Sequence, residues 1–252
     1  MKYYYKKEIR NKAEWEDAFR AAYGNKKDAP WEVGYSGERL ADDFINTTPS
    51  SGERTIINMI RFFLGQDKCL NLDHAEIEHL SKFDFHRHPR QQDLGIWGEV
   101  EKTPFFVGVE AKVNEPFGNN DLAKQSIEAQ KTQSNKDRYD RLIEDFLSKY
   151  NPGDYNGLRY QLIHYLAGSF REPDCGIIFM PVIVYVNNSV YNKTDGEINK
   201  QAYEDFMNLL FTKVNVPQDN EIKLAYKQVF TTWNLERTKH VTKQVYSCYI
   251  QK

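Results

Sequence analysis

Asp93, Glu110 and Lys112 are the residues of this chain whose types and spacing suit hydrolytic chemistry. Glu110 and Lys112 stand two positions apart in "FFVGVEAKVNEPFG", residues 105–118, a stretch otherwise apolar and β-branched at its start. On an extended strand alternate residues share a face. Phe105, Val107, Val109, Ala111 and Val113 make one apolar face; Phe106, Gly108, Glu110, Lys112 and Asn114 make the other. If the preceding segment pairs with this one as a hairpin, Asp93 approaches Glu110. Two carboxylates held together repel unless a cation lies between them. Hard oxygen donors suit Mg²⁺ or Mn²⁺, and the backbone carbonyl of Ala111 offers a further ligand. A bound metal activates water and neutralises charge on a phosphate. The lysine positions or polarises that water, or stabilises developing charge. This is a set for hydrolysing a phosphodiester. The competing reading is a solvated Glu–Lys pair on a half-exposed strand, worth under about 1 kcal/mol.

Several elements must position these side chains. The spacing predicts helices over 13–23, from Ser36 through "SGERLADDFIN", and over "SSGERTIINMIRFFLG" ending at Gly65. The period then changes. Strands are expected at about 76–86, 92–100 and 103–114, the last two joined by a turn in "GEVEKTP". A polar, helix-compatible stretch covers 119–149, and "GLRYQLIHYLAGSF", 157–170, reads as a helix. "CGIIFMPVIVYVN", 175–187, is apolar throughout, as a strand covered on both faces is. A helix over 196–213 and a late alternating strand in "KHVTKQVYSCYI" complete a mixed α/β order.

Asp93 followed by Glu110-Ala111-Lys112 on the next strand resembles the PD-(D/E)xK nuclease superfamily. Gln92 stands where that pattern has proline. "GVEAKVNEPFG" followed by "LRYQLIHYLAG" is similar to an uncharacterised bacterial family within the superfamily, over about residues 90–190. The resemblance implies a restriction-endonuclease-like α/β fold, a mixed central sheet flanked by helices. The order of elements along the chain predicts a single domain, 1–252, with a helical part at 1–70, a core at 71–190 that carries the nuclease-like resemblance, and a helix-and-strand elaboration at 191–252. The resemblance implies DNA as partner, Mg²⁺ or Mn²⁺ held by Asp93, Glu110 and the Ala111 carbonyl, and, by analogy with nucleases that cut both strands, a homodimer. The alternative within the same fold is a catalytically inactive module that binds nucleic acid or protein.

Supporting residues follow. Gln161 and Tyr165 share a helix face, either as a Gln-xxx-Tyr pair beside the metal or, the preferred reading, on a core helix with Tyr165 packed inward. Arg159 is a candidate for a phosphate, Gln125 for a contact from the helix after Lys112, and Glu115 for orienting the lysine or shaping a turn. The superfamily often adds an acid from an early helix, for which Glu38 and Glu53 are both candidates. His86, Arg87, His88 and Arg90 form a basic cluster near Asp93 that suits a phosphate backbone or bulk solvent equally.

Composition narrows the alternatives. With 252 residues, 40% hydrophobic and 28% charged, the chain can bury a full core. A net charge of -2 carries no global basic field. Cys69, Cys175 and Cys248 lack metal or disulfide spacing and are expected as reduced, buried thiols. The N-terminus has no apolar run of signal-peptide type, and "CGIIFMPVIVYV" is too short to span a bilayer, so a cytoplasmic protein is expected. Phosphate-loop and GxSxG hydrolase motifs are missing.

Overall fold

The computed structural model describes residues 1–23, 31, 34–45, 50–84, 89–217 and 221–252. In chain order, strands β1 (Lys2–Tyr5) and β2 (Lys7–Ile9) precede helices α1 (Lys12–Tyr23), α2 (Ser36–Ile45) and α3 (Ser51–Leu64). Three strands follow: β3 (Leu70–Ser81), β4 (Arg90–Val100) and β5 (Thr103–Lys112). Next come α4 (Leu122–Ala129), α5 (Gln133–Leu142) with a π-helical turn at Ile143–Leu147, α6 (Pro152–Tyr155) and α7 (Tyr160–Phe170). Strand β6 (Ile177–Val184), helix α8 (Lys193–Leu210), and strands β7 (Thr212–Val214), β8 (Ile222–Trp233) and β9 (His240–Gln251) complete the chain.

All nine strands among the described residues join one mixed sheet, in the order β2-β1-β3-β4-β5-β6-β9-β8-β7. Strands β3, β4 and β5 run antiparallel in succession, while β6 lies parallel to both β5 and β9. The alternation of β5 divides the molecule as its sequence predicts. Phe105, Val107, Val109, Ala111 and Val113 pack into a core with Trp15, Leu40, Phe44, Ile56 and Ile60 of α1–α3. Phe106 enters the opposite core, with Leu162, Tyr165, Leu166, Tyr203 and Phe206 of α7 and α8. Helices thus cover both faces of the sheet.

The hairpin between β4 and β5 is closed by Glu101 and Lys102, both with positive φ (50° and 64°), between Val100 and Thr103. Two consecutive left-handed residues twist a two-residue turn in the sense of the strands it joins. The N-terminal part is less purely helical than expected: "KYYY" and "KEI" form an edge hairpin, and β1 runs parallel to β3. Those segments lie under ten residues from a strong helix, too short for periodicity to announce them. The last sixty residues contribute three strands, β9, β8 and β7, which extend the sheet beyond β6 to one of its edges. Cys175 and Cys248 are buried free thiols, but Cys69 is exposed, because it sits at the start of β3 beside the hairpin turn, where its N–H donates to Glu101.

Strand β6 contains Pro181, and a proline within a central strand breaks its ladder. Pairing between β5 and β6 is interrupted between Val107↔Phe179 and Glu110↔Val182 without a change of register. In that register the amide of residue 181 would donate to the Gly108 carbonyl, and proline has none. The buried Tyr165 hydroxyl fills the gap. It donates to Gly108 O and also lies 3.0 Å from Pro181 O.

Candidate functional site

Beyond Leu94↔Val109 the pairing of β4 with β5 stops. The next step of the register brings Asp93 opposite Glu110. Here the Asp93 side chain replaces a backbone acceptor: its Oδ2 takes the Ala111 N–H at 2.6 Å. On an extended strand the N–H and C=O of one residue point to the same side. The Ala111 carbonyl therefore also faces the widening between β4 and β5.

Glu110 is 2% exposed and Lys112 is 7% exposed, so this is no solvated pair. Lys112 Nζ lies 2.8 Å from Glu110 Oε1, and Gln161 Nε2 donates to the same oxygen at 2.7 Å. Arg90 contacts the other oxygen, Oε2. Helix α7 runs along this face. Gln161, Tyr165 and Ser169, one turn apart from each other, meet Glu110, the Gly108 carbonyl and the Gln92 amide in turn. Gly108 permits that approach: a Cβ there would stand 2.1 Å from Gln92 Oε1 and 2.8 Å from Ser169 Oγ. The readings of α7 thus combine. Tyr165 is a packed core residue, and Gln161 reaches the site.

A further acid joins from β3. Glu78 is buried and accepts from Gln91 Nε2 at 2.6 Å. Its φ of 54° reverses the alternation of the strand: Ile77 packs with α1–α3, whereas His79, two positions on, packs edge-on against Trp97 and tilted against Phe106. The register Ile77↔Leu94 sets Glu78 opposite Asp93, so three acids stand in adjacent strands. Sequence reasoning missed Glu78 because neither its register nor its left-handed backbone is written in residue types. The signal that was present is an acid inside a strand neighbouring Asp93. The early-helix candidates have other partners: Glu38 pairs with Lys12 at 2.6 Å, and Glu53 closes the capping box of α3 and accepts from Tyr3 at 3.0 Å.

The remaining candidates separate. Glu115 ties the end of β5 to α2, accepting from Ser36 Oγ at 2.8 Å and Val113 N at 2.7 Å. Burial opposes its charge, and those backbone and hydroxyl donors outweigh it, holding its carboxyl below the usual range. It remains close enough for its charge to act on Lys112 and Glu110. Gln125 accepts from Asn120 rather than meeting Glu110. Arg159 lines a separate cleft of about 390 Å³ with Asp121 and Asp205. Of the basic cluster, Arg90 reaches Glu110, while His86, Arg87 and His88 lie outside the described residues.

Electrostatics sort the groups. Burial opposes the charge of Glu110, but Arg90 and Lys112 overcome it and lower its pKa. Burial also opposes the charge of Lys112, and Glu110 and Asp93 overcome it, so the ammonium is held more firmly than usual. Asp93 is pushed up to about 7 by burial and by the Glu110 charge. Glu78 is raised well above the carboxylate range by burial and by Asp93. The two cations thus serve Glu110, and two neighbouring carboxyls are left without a full counter-charge.

In charge and ligand type, Asp93, Glu110 and the Ala111 carbonyl fit a hard divalent cation. In their present arrangement Glu110 is turned toward Arg90, Lys112 and Gln161. Among the described residues, no group of three or more His, Cys, Asp or Glu side chains is arranged to hold a metal.

Fold and site together define a mixed α/β protein with a buried acid–lysine cluster where two strands of its sheet diverge. The chain belongs to the family described as Domain of unknown function (DUF6946), whose sequence model matches residues 9–236. No curated protein and no solved structure matches the chain. Among the described residues, no helix is long and apolar enough to cross a membrane.

Proposed function

We propose that this protein is a metal-dependent phosphodiesterase of the PD-(D/E)xK type, acting on DNA. The observation that carries the reading is the juxtaposition of Asp93 with Glu110 where β4 and β5 part, with the Lys112 ammonium 2.8 Å from the same carboxylate. The element order supports it: helix α3, antiparallel β3-β4-β5, covering helices, then β6 parallel to β5. Asp93, Glu110 and the Ala111 carbonyl would hold Mg²⁺ or Mn²⁺, which supplies Lewis-acid activation of water and neutralises phosphate charge. Lys112, kept protonated by its carboxylate neighbours, orients the water or stabilises charge on the phosphate rather than accepting a proton. Gln161 fixes the Glu110 carboxylate from α7. The homodimer and the cytoplasmic location stand as expectations that accompany this reading.

A second reading is a non-catalytic module of the same fold that binds nucleic acid or protein. It is favoured by the engagement of both Glu110 oxygens by Arg90, Lys112 and Gln161. Purified protein incubated with Mg²⁺ or Mn²⁺ and with plasmid, linear and single-stranded DNA separates the two. Cleavage by the wild type that is lost in Glu110→Ala and Lys112→Ala supports the phosphodiesterase. Cleavage that persists in both variants refutes the assigned site. An absence of both cleavage and calorimetric metal binding favours the binding module.

A further inference from the structure

Arg90 stands at the first position of β4, and its guanidinium contacts Glu110 Oε2, the oxygen that Lys112 and Gln161 leave free. Any cation that uses Glu110 through that oxygen meets Arg90 first. The contact is tight but incomplete. Arg90 Nε is buried with no hydrogen-bond partner. A buried donor left unpaired is costly, so the position is one the guanidinium holds through Glu110 rather than through a full set of bonds. Its stem is pressed close to α7, since a Cβ at Gly168 would lie 3.0 Å from Arg90 Cβ and Cγ. The guanidinium also lies 5.9 Å from the Tyr165 ring centroid. Backbone and stem are therefore anchored, and the terminal charged group is the part held by the carboxylate.

The surrounding charges make this contact an exchangeable one. Asp93, beside Glu110, and Glu78, beside Asp93, have no salt bridge of their own among the described residues, and Arg90 acts on both through space. A divalent cation entering between Asp93 and Glu110 would relieve their repulsion, whereas Arg90 reaches only Glu110 by direct contact. Two cations drawn to one carboxylate oxygen repel each other, so the affinities of Arg90 and of a metal ion for Glu110 Oε2 are linked reciprocally.

We propose that Arg90 is a latch on Glu110: it is the resident counter-ion of the carboxylate, and a divalent cation must displace it to occupy the site. The proposal rests on the phosphodiesterase reading and assigns that site its regulation by metal. Its consequence is that the latch weakens metal binding while it holds the metal-free site together.

The test is calorimetric titration of the full chain with MnCl₂ and with MgCl₂, comparing wild type, Arg90→Met and Arg90→Lys. Loss of a charge-assisted hydrogen bond from the competitor corresponds to metal binding tighter by about tenfold or more in Arg90→Met. Arg90→Lys keeps the charge but shortens the reach and loses the fork. It is expected to bind metal several-fold tighter than wild type, which a purely long-range charge effect would not produce. Thermal unfolding adds a readout that a merely structural arginine would not move: the stability deficit of each variant without metal shrinks at saturating MnCl₂. If wild type binds metal and both variants bind equally or more weakly, the latch is overturned while the metal reading stands. If wild type and variants all fail to bind either metal, the metal reading itself fails, and the latch with it. Should Arg90→Met not fold, Arg90→Lys alone decides, since unchanged affinity in it refutes the latch.

Discussion

Replacing Lys112 by methionine tests whether the acid–lysine pair is an interior feature or a surface one. Methionine keeps most of the apolar stem, including the packing near the Phe117 ring, 5.6 Å from the ammonium, and deletes the charge. Lys112 and Glu110 side chains are 9% and 2% exposed, so the pair is shielded from solvent screening. Removing one partner of a buried pair costs about 3–5 kcal/mol because the other charge is left uncompensated. Glu110 retains Arg90 and Gln161, which places the expectation at the low end, about 3 kcal/mol. For a chain of this length that is a fall in Tm of roughly 6–12 °C. Lys112 has a raised pKa, so its stabilisation is fully present below the ordinary lysine value and is lost only as pH rises through the elevated one. Asp93 titrates near 7 and is coupled to Lys112, so the deficit should be constant only above that titration, between about pH 8 and pH 9, as measured by urea unfolding at several pH values. A deficit under about 1 kcal/mol, the range of exposed pairs, would refute the reasoning that this is a desolvated ion pair.

Three further outcomes follow from the same geometry. Gly108→Ala should cost about 1–3 kcal/mol in denaturant unfolding, since its methyl would meet the Gln92 amide at 2.1 Å; a neutral effect would mean that α7 shifts freely along β5. His79 is raised to about 9, because Glu172 and Glu76 outweigh the burial that opposes its charge. Its contribution is complete below about pH 6.5 and declines as pH rises toward 9, so a stability difference from His79→Gln should narrow across that window, and an NMR titration near 6.5 would contradict it. Asp93, with its pKa near 7, must release a proton to take a metal, so stabilisation by MnCl₂ in thermal unfolding should be larger at about pH 8 than at about pH 5.5. Equal stabilisation at both values would remove Asp93 from the ligand set.

Much of the site was legible because it follows from the twofold alternation of a strand. The parity of β5 put Glu110 and Lys112 on one face, and the hairpin carried Asp93 to them, with α7 spacing Gln161 and Tyr165 together. What escaped depends on backbone conformation and long-range register. Glu78 enters through a left-handed residue inside β3, and no residue type demands that a glutamate adopt it. Arg90 was noticed only as one of a basic group, because its reach to Glu110 depends on how far β4 extends past its pairing with β5. Strands β1, β2, β7 and β8 were unread. The first three are three or four residues long, too short to show a period, while β8 mixes exposed and buried positions without clean alternation. The apolar run at 175–187 reads as a covered strand and β6 is one, Pro181 being accommodated because a tyrosine from α7 supplies the donor that the proline lacks.

That substitution of a hydroxyl for an amide has a consequence for the order in which the molecule assembles. The seam between β5 and β6 cannot close on its own at Gly108. It closes only when α7 docks, and docking that brings Tyr165 to the seam also brings Gln161, one turn earlier, to Glu110. The gap in the seam and the acid–lysine cluster are therefore completed by the same docking of α7. Local opening of α7 would expose the amides around Gly108 to exchange and dismantle the site in the same excursion.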